Sequence, residues 1–129
     1  MIYLDTSVAL AHLLAEDREP PAALWEEDLV ASRLLTYELW ARLHARDLAG
    51  SHGDAARQLV ARVGLLELTP VVLERALHPF PAPVRTLHAL HLASVSFLTE
   101  RGLDVALATY DERMQAAAEA MSLRTYPLP

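Results

Sequence analysis

Short apolar runs of strand-forming residues alternate with helix-spaced segments, and this alternation constrains the fold more than any other feature. Ile2-Tyr3-Leu4 stops at Asp5, and the segment Thr6–Ala15 carries apolar residues at helical spacing (Val8, Leu10, Ala11, Leu14). The pattern then recurs. Two prolines, Pro20 and Pro21, suit a helix start at "PPAALWEE", and Leu29–Ser32 is a second buried-strand candidate. Residues 34–50 separate into an apolar face (Leu35, Leu39, Leu43) and a basic one (Arg42, Arg46), with Gly50 as the expected stop. Residues 53–63 predict a further helix, 65–69 a third strand, and 70–77 a short helix opened by Pro70. After the proline-rich connection 79–83, Leu87, Leu90, Ala93, Val95 and Leu98 predict a long helix over 84–101, closed by Gly102. Residues 105–109 are a fourth strand, 111–122 a helix, and Arg124-Thr125-Tyr126 an edge strand. Strands that alternate with helices imply a parallel sheet covered by helices, because each right-handed crossover needs a helix to return the chain.

At 129 residues the chain is expected to be a single domain, 1–129. No stretch approaches the ~20 apolar residues of a membrane span, and the start lacks the features of a signal peptide, so no membrane association is expected. Cysteine is absent, which excludes disulfides and thiol chemistry and fits a cytoplasmic location. Every basic residue is arginine, which excludes Schiff-base chemistry and a Walker loop. The net charge of −6 argues against coating nucleic acid by charge alone, but not against a metal-assisted enzyme.

Ligands of parallel sheets bind beyond the carboxyl ends of the strands. Asp5 directly follows the first strand, Glu38 lies near the start of the helix after the second, and Asp111 follows the fourth by two residues. Asp104 precedes its strand and belongs at the opposite edge. Three carboxylates brought to one edge repel one another, and a hard divalent cation, Mg2+ or Mn2+, relieves that repulsion. Such an ion would polarise a phosphodiester and orient a water molecule. Each acid also has a plainer role: Asp5 with Thr6 and Ser7, and Thr109 with Asp111, suit helix caps, and Glu38 suits a helix N-terminus.

"YLDTSVAL", "LLTYELWARL", "LHALHLASV" and "LATYDERMQAAA", in this order and spacing, resemble the PIN-domain ribonucleases, in particular the VapC-type toxins of VapBC toxin–antitoxin systems. The resemblance implies an α/β/α sandwich around a central parallel sheet of four to five strands. It implies a metal-dependent endoribonuclease toxin that hydrolyses RNA, with catalytic residues Asp5, Glu38, Asp111 and Thr109. Its metal ligands, to Mg2+ or Mn2+, fall on Asp5, Glu38, Asp111 and His88. At His88 the family's "LDALHLA" has an acid, so this chain offers a nitrogen donor that magnesium tolerates poorly and manganese accepts better. Glu112 is a substitute acid, and His88 is also placed to move a proton. His91 matches the family's own histidine, a packing residue. A zinc site built on the two histidines lacks a third ligand at a signature spacing. The resemblance further implies a homodimer and a cognate antitoxin protein as partner. The alternative function is a catalytically inactive PIN domain acting as an antitoxin- or RNA-binding module. Trp25 and Trp40 are expected in helix packing, and Arg42 and Arg46 are candidate RNA phosphate contacts.

Overall fold

The computed structural model describes residues 1–129. Strands β1 (Ile2–Leu4), β2 (Leu29–Ser32), β3 (Gly64–Leu66), β4 (Ala106–Ala108) and β5 (Arg124–Thr125) form one sheet, ordered β3-β2-β1-β4-β5 and parallel throughout. Around it lie α1 (Thr6–Leu13), α2 (Leu34–Ala45), α3 (Ala49–Ala61), α4 (Pro70–Ala76), α5 (Thr86–Glu100) and α6 (Glu112–Ala120). This is the expected α/β/α sandwich, and its central strands are continuous apolar runs because both faces are buried.

Side-chain alternation along β1 and β4 builds two cores. Ile2, Leu4, Ala106 and Ala108 face α1, α2 and α3, where they meet Val8, Leu35, Leu39 and Leu59. Tyr3 and Leu107 point the other way, into Leu92, Val95 and Leu98 of α5 and Met114 of α6. The chain runs outward from β1 through β2 to β3, then returns to lay β4 on the free side of β1, where Ile2 pairs with Ala106. The strand order therefore reverses between β1 and β4, and a crevice opens beyond their carboxyl ends. No helix is long and apolar enough to cross a membrane.

The single helix expected over 34–50 is two helices. Asp47 takes a left-handed conformation (φ 55°), and the Leu48 amide reaches back to the Leu43 carbonyl at 2.7 Å. That bond, with Asp47 N–H on His44, is a Schellman stop. Gly50 lies inside α3 and terminates nothing. The same stop ends α1 at Ala15, α5 at Gly102 and α6 at Ser122, each with positive φ. Only Gly102 has the residue that favours it.

Smaller differences have equally local causes. "PPAALWEE" forms a 3-10 turn, Ala22–Glu26, and not an α-helix. The long helix starts at Thr86, with Arg85 as its cap residue, and Leu87 is 46% exposed at the rim of a cleft. Trp40 is half-buried against Gly53, where a Cβ would stand 3.0 Å from the indole.

Candidate active site

The crevice at the sheet reversal contains Asp5, Glu38 and Asp111. All three line one cleft of about 440 Å³, together with Thr6, Arg42 and His88. Each acid arrives on a different element. Asp5 ends β1 and caps α1, Glu38 projects from α2, and Asp111 caps α6. The helix α2 divides its faces by spacing: Leu35, Leu39 and Leu43 are fully buried, whereas Glu38, Ala41, Arg42 and Ala45 border the cleft. Alanine at two of these positions leaves room for a ligand.

Asp5 is the most buried of the acids, 4% exposed. Its Oδ2 accepts from Ser7 Oγ (2.5 Å), Thr109 Oγ1 (2.8 Å) and the Ser7 amide (3.3 Å). Ser7 Oγ also accepts from the Tyr110 amide, and Thr109 Oγ1 from the Asp111 amide, each at 3.0 Å. The ends of β1 and β4 are thereby laced together through one carboxylate oxygen. Thr109, expected among the catalytic residues, positions Asp5 and Asp111 through these bonds.

Glu38 is held from two sides. Its Oε1 accepts from Thr6 Oγ1 at 3.0 Å and stands 2.5 Å from His91 Nε2. His91 is fully buried, and its other nitrogen is 2.8 Å from the Tyr3 hydroxyl, which accepts from the Ser32 amide at 3.0 Å. Glu38 fixes a proton on Nε2, so a relay runs from the β2 backbone through Tyr3 and His91 to the carboxylate. Burial opposes a charge on His91. The hydrogen bond to Glu38, with the charges of Asp5 and Glu38, outweighs burial and holds its pKa above the ordinary value. Burial also pushes the Tyr3 hydroxyl upward. His91 is thus more than a packing residue: it orients an acid. Tyr3, Ser7 and His91 are site residues that sequence reasoning missed. The available signal was Tyr3 itself, since a hydroxyl inside a fully buried strand requires a partner.

Asp111 uses Oδ1 to cap α6 through the Met114 amide at 2.8 Å, while Oδ2 lies 3.7 Å from His88 Nε2. In all three acids one oxygen is anchored. Asp5 Oδ1 and Glu38 Oε2 accept no protein hydrogen bond, and Asp111 Oδ2 meets only the imidazole. These are hard oxygen donors of the kind magnesium and manganese take. They share the cleft without closing into a cage, because no three His, Asp or Glu side chains stand close enough to hold an ion. Glu38 is drawn toward His91 and Thr6, and Asp111 toward the α6 amides. Asp104 pairs with Arg124 at the amino-terminal edge of the sheet, as its position before β4 implied. His12, His44, His52 and His78 lie outside the cleft, and no metal cluster includes the histidine pair.

Comparison with known proteins agrees with this fold. The sequence profile of the PIN domain matches residues 2–120. Ribonuclease VapC35 of Mycobacterium tuberculosis is 32% identical over 127 residues, covering 95% of this chain and 93% of that protein. Ribonuclease VapC46 of the same organism is 34% identical over the same length and with the same coverage. The structure of VapC20 from M. tuberculosis, described as a sarcin-ricin loop cleaving toxin, superposes with a TM-score of 0.66. It is 22% identical and covers 91% of this chain and 95% of its own. A toxin–antitoxin complex from Klebsiella pneumoniae superposes with a TM-score of 0.65 at 12% identity, covering 93% and 94%. At those identities the two structures speak to the fold alone. The match to the family profile over residues 2–120 and to two ribonucleases over 95% of the chain, on a sheet whose reversal point carries the acids, gives the assignment: the chain belongs to the PIN domain family, among the VapC ribonucleases.

Proposed function

We propose that this chain is a metal-dependent endoribonuclease toxin of a type II toxin–antitoxin system, and that carboxylates from among Asp5, Glu38 and Asp111, with water and substrate phosphate, hold Mg2+ or Mn2+ while it hydrolyses RNA. The observation that supports it is the shared cleft in which each acid has one oxygen anchored and the other accepting no protein hydrogen bond. One or two carboxylates often hold magnesium together with water and substrate phosphates, so a complete protein cage is unnecessary. The ion, when bound, supplies charge stabilisation at the phosphodiester and a more acidic water. The chain's own residues do the rest. Ser7 and Thr109 fix the rotamer of Asp5, the Tyr3–His91 relay fixes Glu38, and Arg42 faces substrate charge across the cleft. The test is RNA cleavage with added Mn2+ or Mg2+. The parent cuts and Asp5→Asn does not; equal cleavage by both would refute the assignment.

The second reading, a silent PIN domain that binds antitoxin or RNA, is favoured by one observation. His88 puts an imidazole beside Asp111 where the family has an acid. If the parent is silent and His88→Asp cuts RNA, this reading replaces the first. An antitoxin partner is proposed from membership of the VapC family. A homodimer and a cytoplasmic site of action complete the proposal.

A further inference from the structure

Most arginines in this chain are already committed to partners. Arg33, Arg57 and Arg124 pair with carboxylates, and Arg62 and Arg75 donate to backbone carbonyls. Arg18 lies over Tyr110 and Arg101 over Phe97. The guanidinium groups of Arg42, Arg46, Arg85 and Arg113 make no hydrogen bond, ion pair or aromatic contact, and all four residues are exposed. Three of these line just two cavities. Arg42 borders the acid cleft, and Arg85 with Arg113 borders a second cleft of about 590 Å³ beside it. His88 and Asp111 line both and form the wall they share. In a chain of net charge −6, free guanidinium groups flanking a single acidic site on two sides are a charge pattern with a direction.

We infer that the second cleft is a subsite for an RNA phosphate neighbouring the one cut, gripped by Arg85 and Arg113. The inference rests on the ribonuclease reading above and names how that site holds its substrate. The strand enters past Arg42, crosses the wall at His88 and Asp111, and leaves between the start of α5 and the first turn of α6. Guanidinium groups match phosphate in a bidentate fork, and two of them offset the carboxylates of Asp111 and Glu112 at the same cleft. A phosphate held there also fixes which bond lies over the acids, so the subsite sets register as well as affinity.

The test is binding of a fluorescent single-stranded RNA in EDTA, where no cleavage occurs, followed by anisotropy across a salt series. Losing two phosphate contacts lowers the salt slope by about 1.4, so between 50 and 200 mM salt the parent loses about sevenfold more affinity than Arg85→Ala/Arg113→Ala. Arg85→Lys/Arg113→Lys retains most of the slope. Arg124→Ala, on the far edge of the sheet, matches the parent. Circular dichroism shows that each variant is folded. An unchanged slope in the double alanine variant overturns the subsite. Failure of the ribonuclease reading looks different: RNA binds in EDTA with the expected slopes, yet Mn2+ brings no cleavage that Asp5→Asn abolishes.

Discussion

Replacing His88 by aspartate places a second carboxylate in the shared wall of the clefts, where the imidazole nitrogen now stands 3.7 Å from Asp111 Oδ2. An aspartate carboxylate reaches less far than the imidazole, so at roughly 5–6 Å the two like charges repel by about 3 kcal/mol at an effective dielectric of 20. Both side chains reach solvent, with 26% and 34% of their surface exposed. Screening therefore reduces the cost to about 1–2 kcal/mol. For a domain of this length that lowers Tm by roughly 3–8 °C in EDTA. A bound dication reverses the sign, since the added hard oxygen ligand strengthens its site. At a hundredfold excess over Kd, the ion returns about 2.7 kcal/mol. Thermal melts of the parent and His88→Asp, with EDTA and with Mn2+, measure both effects. The variant is expected to melt lower without metal and to gain more on adding it. Equal melting in EDTA, with equal gains in Mn2+, would refute the electrostatic account of this wall.

Other consequences follow from the same contacts. Tyr3→Phe leaves the buried Ser32 amide and one His91 nitrogen without the hydroxyl, and is expected to lower unfolding free energy by about 2–4 kcal/mol in urea melts. Ala15→Gly relieves a left-handed alanine at the end of α1 (φ 48°) and is expected to raise stability by about 0.5–1 kcal/mol, a shift of a few degrees in Tm. His91 contributes to pH dependence with a definite sign. Its folded pKa is raised, so its stabilisation is complete below the ordinary histidine value and is lost as pH climbs from there through the raised value. In metal-free protein, unfolding free energy should fall across that window, and His91→Gln should flatten the fall; parallel profiles would contradict the pairing with Glu38.

The centre of the sheet was legible because β1 and β4 are buried on both faces and so read as uninterrupted apolar runs ending at Asp5 and Thr109. Residues 29–32 and 2–4 match the strands β2 and β1 to the residue. The acids were legible from their distance past strand ends, which is a topological property. The break between α2 and α3 was not, because an aspartate in the left-handed region makes the stop while the nearby Gly50 looks like one. The Tyr3–His91–Glu38 relay was hidden for a different reason. A histidine among leucines on a helix reads as packing until the strand and helix opposite it are in view. Similarly, the hydrogen bonds of Thr109 to Asp5 and of the Tyr110 amide to Ser7 join the ends of β1 and β4, which only the sheet order makes neighbours.

The central claim is that carboxylates from β1, α2 and α6 serve a common dication. Anomalous diffraction from a crystal soaked in Mn2+ tests it most directly. The account predicts a peak in the acid cleft, about 2.0–2.4 Å from the free oxygen of Asp5 and from Glu38 or Asp111, and its loss in Asp5→Asn. A cleft without a peak, or a peak that persists unchanged in Asp5→Asn, would contradict it.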